Sequence, residues 1–129
     1  MIRPATPEDL GQLVEWARQL HETHEPRFPF DPEHTAAFLS NLTAFVAPQG
    51  FIAGAIIPAP QNNRWRTAFE VFLWGGGDGP ALIAAFEEWA RDQGANEIEF
   101  SHPTGVERLS RHLIRRGYRA SKACLTKEF

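Results

Sequence analysis

In "DLGQLVEWARQL" the apolar positions Leu10, Leu13, Val14, Ala17 and Leu20 recur every three or four residues. That spacing puts them on one face of a helix. Thr6 stands where an N-cap belongs, with Pro7 at the first helical position and Glu8 and Asp9 in the first turn. Acidic side chains there face the positive end of the helix dipole. A short extended piece precedes the cap. Pro26, Pro29 and Pro32 break the pattern. Asp31 and Pro32 repeat the cap-then-proline signal, so a second helix is predicted with Phe38, Leu39 and Leu42 on its apolar side.

The period then shortens. "TAFVA", "PQG" and "FIAGAII" read as two strands and a tight turn. Gly54 inside the second strand predicts a bulge or a close backbone approach. "PAPQNN" reads as a loop, and the aromatic-rich "WRTAFEVFLW" as a strand. In "GDGPALIAAFEEWARDQG" a helical stripe returns, made of Leu82, Ile83, Phe86, Trp89 and Ala90. Gly94 is placed to end that helix as a left-handed cap. "NEIEFSH" alternates as a strand does, and "GVERLSRHLIRRG" predicts a helix closed by Gly117. "YRASKACLTKEF" predicts one or two final strands, with Cys124 as a small buried apolar residue. The order β-α-α-β-β-β-α-β-α-β implies an α/β (α+β) fold in one domain, residues 1–129, around a mixed central sheet.

Composition narrows the function. The 129 residues are 43% hydrophobic and 22% charged, as in an ordinary soluble globular chain. A formal net charge of -3 argues against a general nucleic-acid binder. Basic residues do crowd the last quarter, where Arg108, Arg111 and Arg115 follow helical spacing. A solvated helix face is the first reading of these arginines. Contact with a ligand phosphate is the second. One cysteine excludes an internal disulfide framework. No stretch is long enough to span a membrane and the start has no leader pattern, so a cytoplasmic protein is expected. His21, His24 and His34 lack the cysteine or carboxylate spacing that completes a metal set, and no metal is expected.

The chemistry concentrates where strand "EVFLW" meets a run of glycines and then a helix. A helix N-terminus exposes unpaired N–H groups and a partial positive charge, and glycines let a phosphate reach them. Gly75, Gly76, Gly77 and Gly79 supply that freedom. The run is not a Walker loop, because no Gly-Lys-Ser/Thr follows.

Taken together, these segments resemble the GNAT N-acetyltransferases over nearly the whole chain. "IRPATPEDLGQLVEWA" resembles their opening strand and helix, and "HETHEPRFPFDPEH" their substrate-side helix-loop-helix. Gly77, Gly79 and Leu82 match the Gly-x-Gly-x-x-Leu part of the acetyl-CoA motif. "LSRHLIRRGYRASKACLTKEF" is similar to their closing helix and strand. The resemblance implies about six strands flanked by about four helices. It implies acetyl-CoA as cosubstrate and an amine as acceptor. Phe72, Leu73 and Trp74 would lie along the pantetheine arm. Gly76, Gly77, Asp78, Gly79 and Ala81 would meet the pyrophosphate, and Glu70 would take a proton from the amine.

The chain departs from the motif at three places. Trp74 stands where a Gln or Arg opens it, Pro80 removes one N–H donor, and Leu113 replaces the tyrosine that often protonates the leaving thiolate. Glu70 has a second reading, a strand-surface carboxylate paired with Arg64 or Arg66. Two functional alternatives follow. One is a non-catalytic protein of this fold with a structural or protein-binding role, such as a phage virion or assembly component. The other is a regulator that binds acyl-CoA without turnover. Open edge strands at both ends of the sheet leave room for a homo-oligomer.

Overall fold

The computed structural model describes residues 1–101, 107–122 and 124–129. Strand β1 (Arg3–Pro4) leads through a 3-10 turn (Pro7–Asp9) into α1 (Leu10–His24) and α2 (Pro32–Leu39). There follow β2 (Thr43–Ala47), β3 (Gly50–Ala59), β4 (Asn62–Trp74), α3 (Gly79–Asp92), β5 (Glu97–Glu99) and α4 (Glu107–Arg115). The strands form one sheet in the order β1-β2-β3-β4-β5. Pairing is antiparallel up to β4, and β5 lies parallel to β4. This is the mixed α/β sheet that the element order implies.

Strand alternation gives the sheet two apolar faces. On one, Ile52, Ala68 and Ala47 pack under Leu82, Ile83, Phe86 and Ala90 of α3 and Leu113 of α4. On the other, Val46, Phe51 and Ala53 pack under Leu13 and Ala17 of α1 and Leu39 of α2. The start of α1 is fixed by Asp9. Its carboxylate accepts from Arg3 Nη1 at 2.7 Å and from the Thr6 N–H at 2.8 Å. These contacts, the Arg3 guanidinium first, hold the Asp9 carboxyl well below the usual carboxylate range. Gly94, at φ 79°, and Gly117, at φ 97°, end α3 and α4 in the left-handed conformation.

Four expectations shift. The "PAPQNN" loop shrinks to Pro60 and Gln61, because β3 runs on to Ala59 and β4 begins at Asn62. Phe38 is 45% exposed instead of buried, since Leu39 and Thr35 take the inner face of α2. The described residues from Tyr118 onward form no strand, so the sheet has five strands among the described residues, and Cys124 is exposed. The physical reason lies in β5, whose three residues are a short template, and in the chemistry of the tail. Ion pairs hold the tail, Lys122 to Glu99 at 2.6 Å and Glu128 to Arg27 at 3.1 Å, while Leu125 and Phe129 face solvent. His102, the start of the last predicted helix at Gly105 and Val106, and Ala123 lie outside the described residues.

Candidate active site

Strands β4 and β5 run together only briefly. Thr67, Ala68 and Phe69 pair with Glu97, Ile98 and Glu99. There β5 ends, and β4 continues alone on that side to Trp74. The backbone edge of Glu70 to Trp74 that faces away from β3 therefore has no strand against it among the described residues. Such an edge can accept an extended ligand as an added strand.

A bulge sits at the same point. Ala53 pairs with Phe72 and Gly54 with Glu70, which leaves Val71 without a counterpart. A bulge bends its strand and re-aims the side chains beside it. Gly54 permits it: a Cβ there would lie 2.1 Å from the Phe69 carbonyl oxygen and 2.7 Å from the Phe86 ring. The sequence expectation of a bulge or close approach at Gly54 is met in both senses.

Glu70 lies at this split and is buried, at 8% exposure. Its Oε1 accepts the Ser101 N–H at 3.3 Å. Burial pushes its carboxyl up to about 8, against the weaker opposing pull of the Ser101 N–H. Neither Arg64 nor Arg66 pairs with it. Arg66 Nη1 instead donates to the Gln93 carbonyl at 2.8 Å. The surface-pair reading of Glu70 does not describe this geometry.

Downstream, Phe72 and Trp74 lie on the α1–α2 face and Leu73 on the α3 face. The chain then turns through Gly75, Gly76, Gly77 and Asp78 into α3. Gly76 takes φ 56°, and a Cβ on it would sit 2.8 Å from the Gln49 carbonyl oxygen. The Asp78 N–H donates to the Gly75 carbonyl at 2.7 Å. The Asp78 carboxylate accepts from the Gln49 N–H at 3.2 Å and does not cap α3. Among the described residues, no protein group accepts from the amides of Gly77, Gly79 or Ala81. A Cβ added at Gly77 or Gly79 would meet nothing within 4 Å. The head of α3 thus keeps backbone donors without a protein acceptor among the described residues, as anion-binding helix ends do.

Helix α4 supplies no phenol to the split. Leu113, at the position where the resemblance expects tyrosine, is part of the α3-side core. The Tyr118 hydroxyl donates to Glu87 Oε2 at 2.8 Å, and Glu87 also holds the Arg116 guanidinium. Burial and the Glu87 carboxylate push the Tyr118 phenol well above its ordinary value. Burial of Glu87 itself is more than offset by Arg116 and Tyr118, which hold its carboxyl low. This trio joins α3 to the end of α4. His112, beside Leu113, has a buried Nε2 without a hydrogen-bond partner among the described residues. Arg111 pairs with Glu107 at 3.7 Å on a solvated helix face.

Two grooves lie elsewhere. One of about 340 Å³ is lined by Glu87, Arg91, Glu97, Glu99, Arg116 and Tyr118, most of which are already paired. Another of about 510 Å³ lies between α1 and the start of α2, beside Val14, Arg18 and Phe30. Neither contains Glu70. Among the described residues no three His, Cys, Asp or Glu side chains gather to hold a metal. His21 instead holds its own loop, with Nε2 2.7 Å from the Phe28 carbonyl oxygen. No helix among the described residues is long and apolar enough to cross a membrane.

No family model matches the sequence, and no curated protein matches it either. Solved structures match along its whole length. A predicted acetyltransferase with acetyl-CoA from Clostridium acetobutylicum superposes with a TM-score of 0.75 at 17% identity, over 99% of this chain and 95% of its own. The ribosomal-protein-alanine N-acetyltransferase from Brucella melitensis biovar Abortus 2308 gives 0.74 at 16% identity, over 100% and 99% of the two chains. The fold is that of the GNAT acetyltransferases. A transcriptional regulator from Bacillus halodurans C-125 shares this GNAT fold, with a TM-score of 0.75 at 21% identity over 100% and 99% of the chains. Structures with acetyltransferase and regulator names share this architecture, so the fold by itself does not fix an activity.

Proposed function

We propose that this protein is an acetyl-CoA-dependent N-acetyltransferase. The observation that carries the reading is Glu70, a buried carboxyl at the β4 bulge where the sheet splits. Acetyl-CoA would lay its pantetheine arm along the free edge of Phe72, Leu73 and Trp74. Its pyrophosphate would meet the turn from Gly76 to Gly79 and the Ala81 amide at the head of α3. The acceptor amine would attack the thioester carbonyl. A C–N bond forms, the C–S bond breaks, Glu70 takes the amine proton, and the thiolate leaves and takes a proton from solvent. Positioning supplies most of such an acceleration, and a general base adds roughly 10²–10⁴-fold. A base near pH 8 suits an amine that must lose a proton to react.

The first test is the melting temperature with and without acetyl-CoA. Ligand at one hundred times its dissociation constant adds about 2.7 kcal/mol, a shift of several degrees for a chain of this size. No shift at millimolar ligand would remove the cosubstrate and the enzyme reading with it.

A second reading, a non-catalytic protein of this fold, is favoured by one observation: Leu113 is core and Tyr118 is committed to Glu87. Glu70→Gln separates the enzyme from a third reading, a regulator that binds acyl-CoA without turnover. Retained acetyl-CoA binding with lost turnover fits an enzyme. Binding without turnover in either protein fits an acyl-CoA-binding regulator.

A further inference from the structure

The ring of Phe38 stands edge-on to Phe72, with centroids 6.5 Å apart and planes at 82°. Phe72 in turn lies 6.0 Å from the fully buried Phe51. A line of rings therefore runs from the core, through the first residue beyond the bulge, to a ring that ends 45% exposed. His34 stands 6.2 Å from Phe38 on the same helix. Val71, the unpaired residue of the bulge, is 40% exposed. An isolated exposed phenylalanine needs no explanation. This one continues a buried stack through Phe72, two residues beyond Glu70 on β4.

The segment before Phe38 is net acidic. Residues 21–34 carry Glu22, Glu25, Asp31 and Glu33 against the single cation Arg27. Glu22 pairs with Arg18 and Glu25 with Arg27. Asp31 accepts the His34 N–H as a helix cap. Glu33 has no ion-pair partner among the described residues. An ammonium group is drawn to such a surface, while a flat apolar body is held by the exposed ring edge and face.

We propose that the acceptor is a small primary amine carried on an aromatic body, with its ring seated against Phe38 and Phe72. This rests on the reading of the split as an acetyl-transfer site. A hydrophilic amine gains only the charge attraction, whereas an aryl amine also buries its ring. That difference amounts to about tenfold or more in kcat/KM.

The test is steady-state CoA release from acetyl-CoA with phenethylamine, ethanolamine and spermidine as acceptors. It uses the full chain and its Phe38→Ala and Phe38→Leu variants. The expected result is a preference of about tenfold or more for phenethylamine. Phe38→Ala should erase most of it, through a raised KM rather than a lowered kcat. Phe38→Leu retains apolar volume without the ring, and it carries the test if the alanine variant folds poorly. Equal or better turnover of ethanolamine or spermidine overturns the proposal and leaves acetyl transfer standing. So does a preference that survives both substitutions. Absence of turnover with all three amines overturns it together with the transfer reading.

Discussion

In the folded protein Glu70 keeps a proton that it would lose in water. Its carboxyl titrates near 8, against 4.5 as the ordinary value. The folded state therefore binds more protons than the unfolded chain between these values. The sign follows: the contribution of Glu70 to stability is fullest below pH 4.5, falls as pH rises towards 8, and is level above it. Glu70→Gln cannot titrate, so its stability relative to the native chain should rise across that window, by up to a few kcal/mol at pH 9. Urea denaturation at pH 5 and pH 9 measures it, and parallel shifts at both pH values would refute the buried carboxyl. If the split catalyses transfer, kcat/KM should rise with pH to a plateau above about 8, and Glu70→Gln should lose that limb. Nothing local to "FEVFL" distinguishes this glutamate from a surface one. Its neighbours Gly54 on β3 and the Ser101 amide lie far away in the chain.

At the scale of the element, glycines of one sequence type do different work. A methyl group at Gly54 would meet the Phe69 carbonyl oxygen at 2.1 Å and the Phe86 ring at 2.7 Å. Gly54→Ala should therefore cost about 1–3 kcal/mol or more, as overpacking of a full core does. Gly77 has open space around it and a negative φ. Gly77→Ala should change stability by less than about 0.5 kcal/mol, while weakening acetyl-CoA binding if the ligand backbone lies against that turn. Comparing denaturation midpoints of the two variants checks the first pair of values. Equal losses would mean that the bulge is not packed as described. Helix boundaries were legible because caps, prolines and closing glycines are local signals: Asp31, Pro32, Gly94 and Gly117 all act where the sequence places them. Phe38 was misread for the opposite reason. Its place on an apolar stripe is local, but the inner face of α2 is filled by Leu39 and Thr35.

At the scale of the whole molecule, the tail is the weakest attachment. Residues after Tyr118 are held by Lys122–Glu99 and Arg27–Glu128, both with exposed members. Exposed ion pairs of this kind are screened by water and contribute little. Deletion of residues 120–129 should accordingly leave the denaturation midpoint little changed. A loss of several kcal/mol in the same denaturation experiment would show that the segment pairs with β5 as a strand.

The sequence by itself determined the period of each element, most of the caps, the order of strands and helices, and the glycine turn before α3. All of these depend on residues within a few positions of one another. It also placed Glu70, Phe72, Leu73 and Trp74 on one strand. Only the tertiary structure decided what those residues face. The three-residue length of β5 opened the split, Gly54 let Phe86 approach the bulge, and burial raised the Glu70 carboxyl against the pull of the Ser101 amide. The same packing assigned Tyr118 to Glu87, left Leu113 in the core and turned Phe38 outward. Burial and charge at a site are sums over distant neighbours, and a local pattern does not contain them.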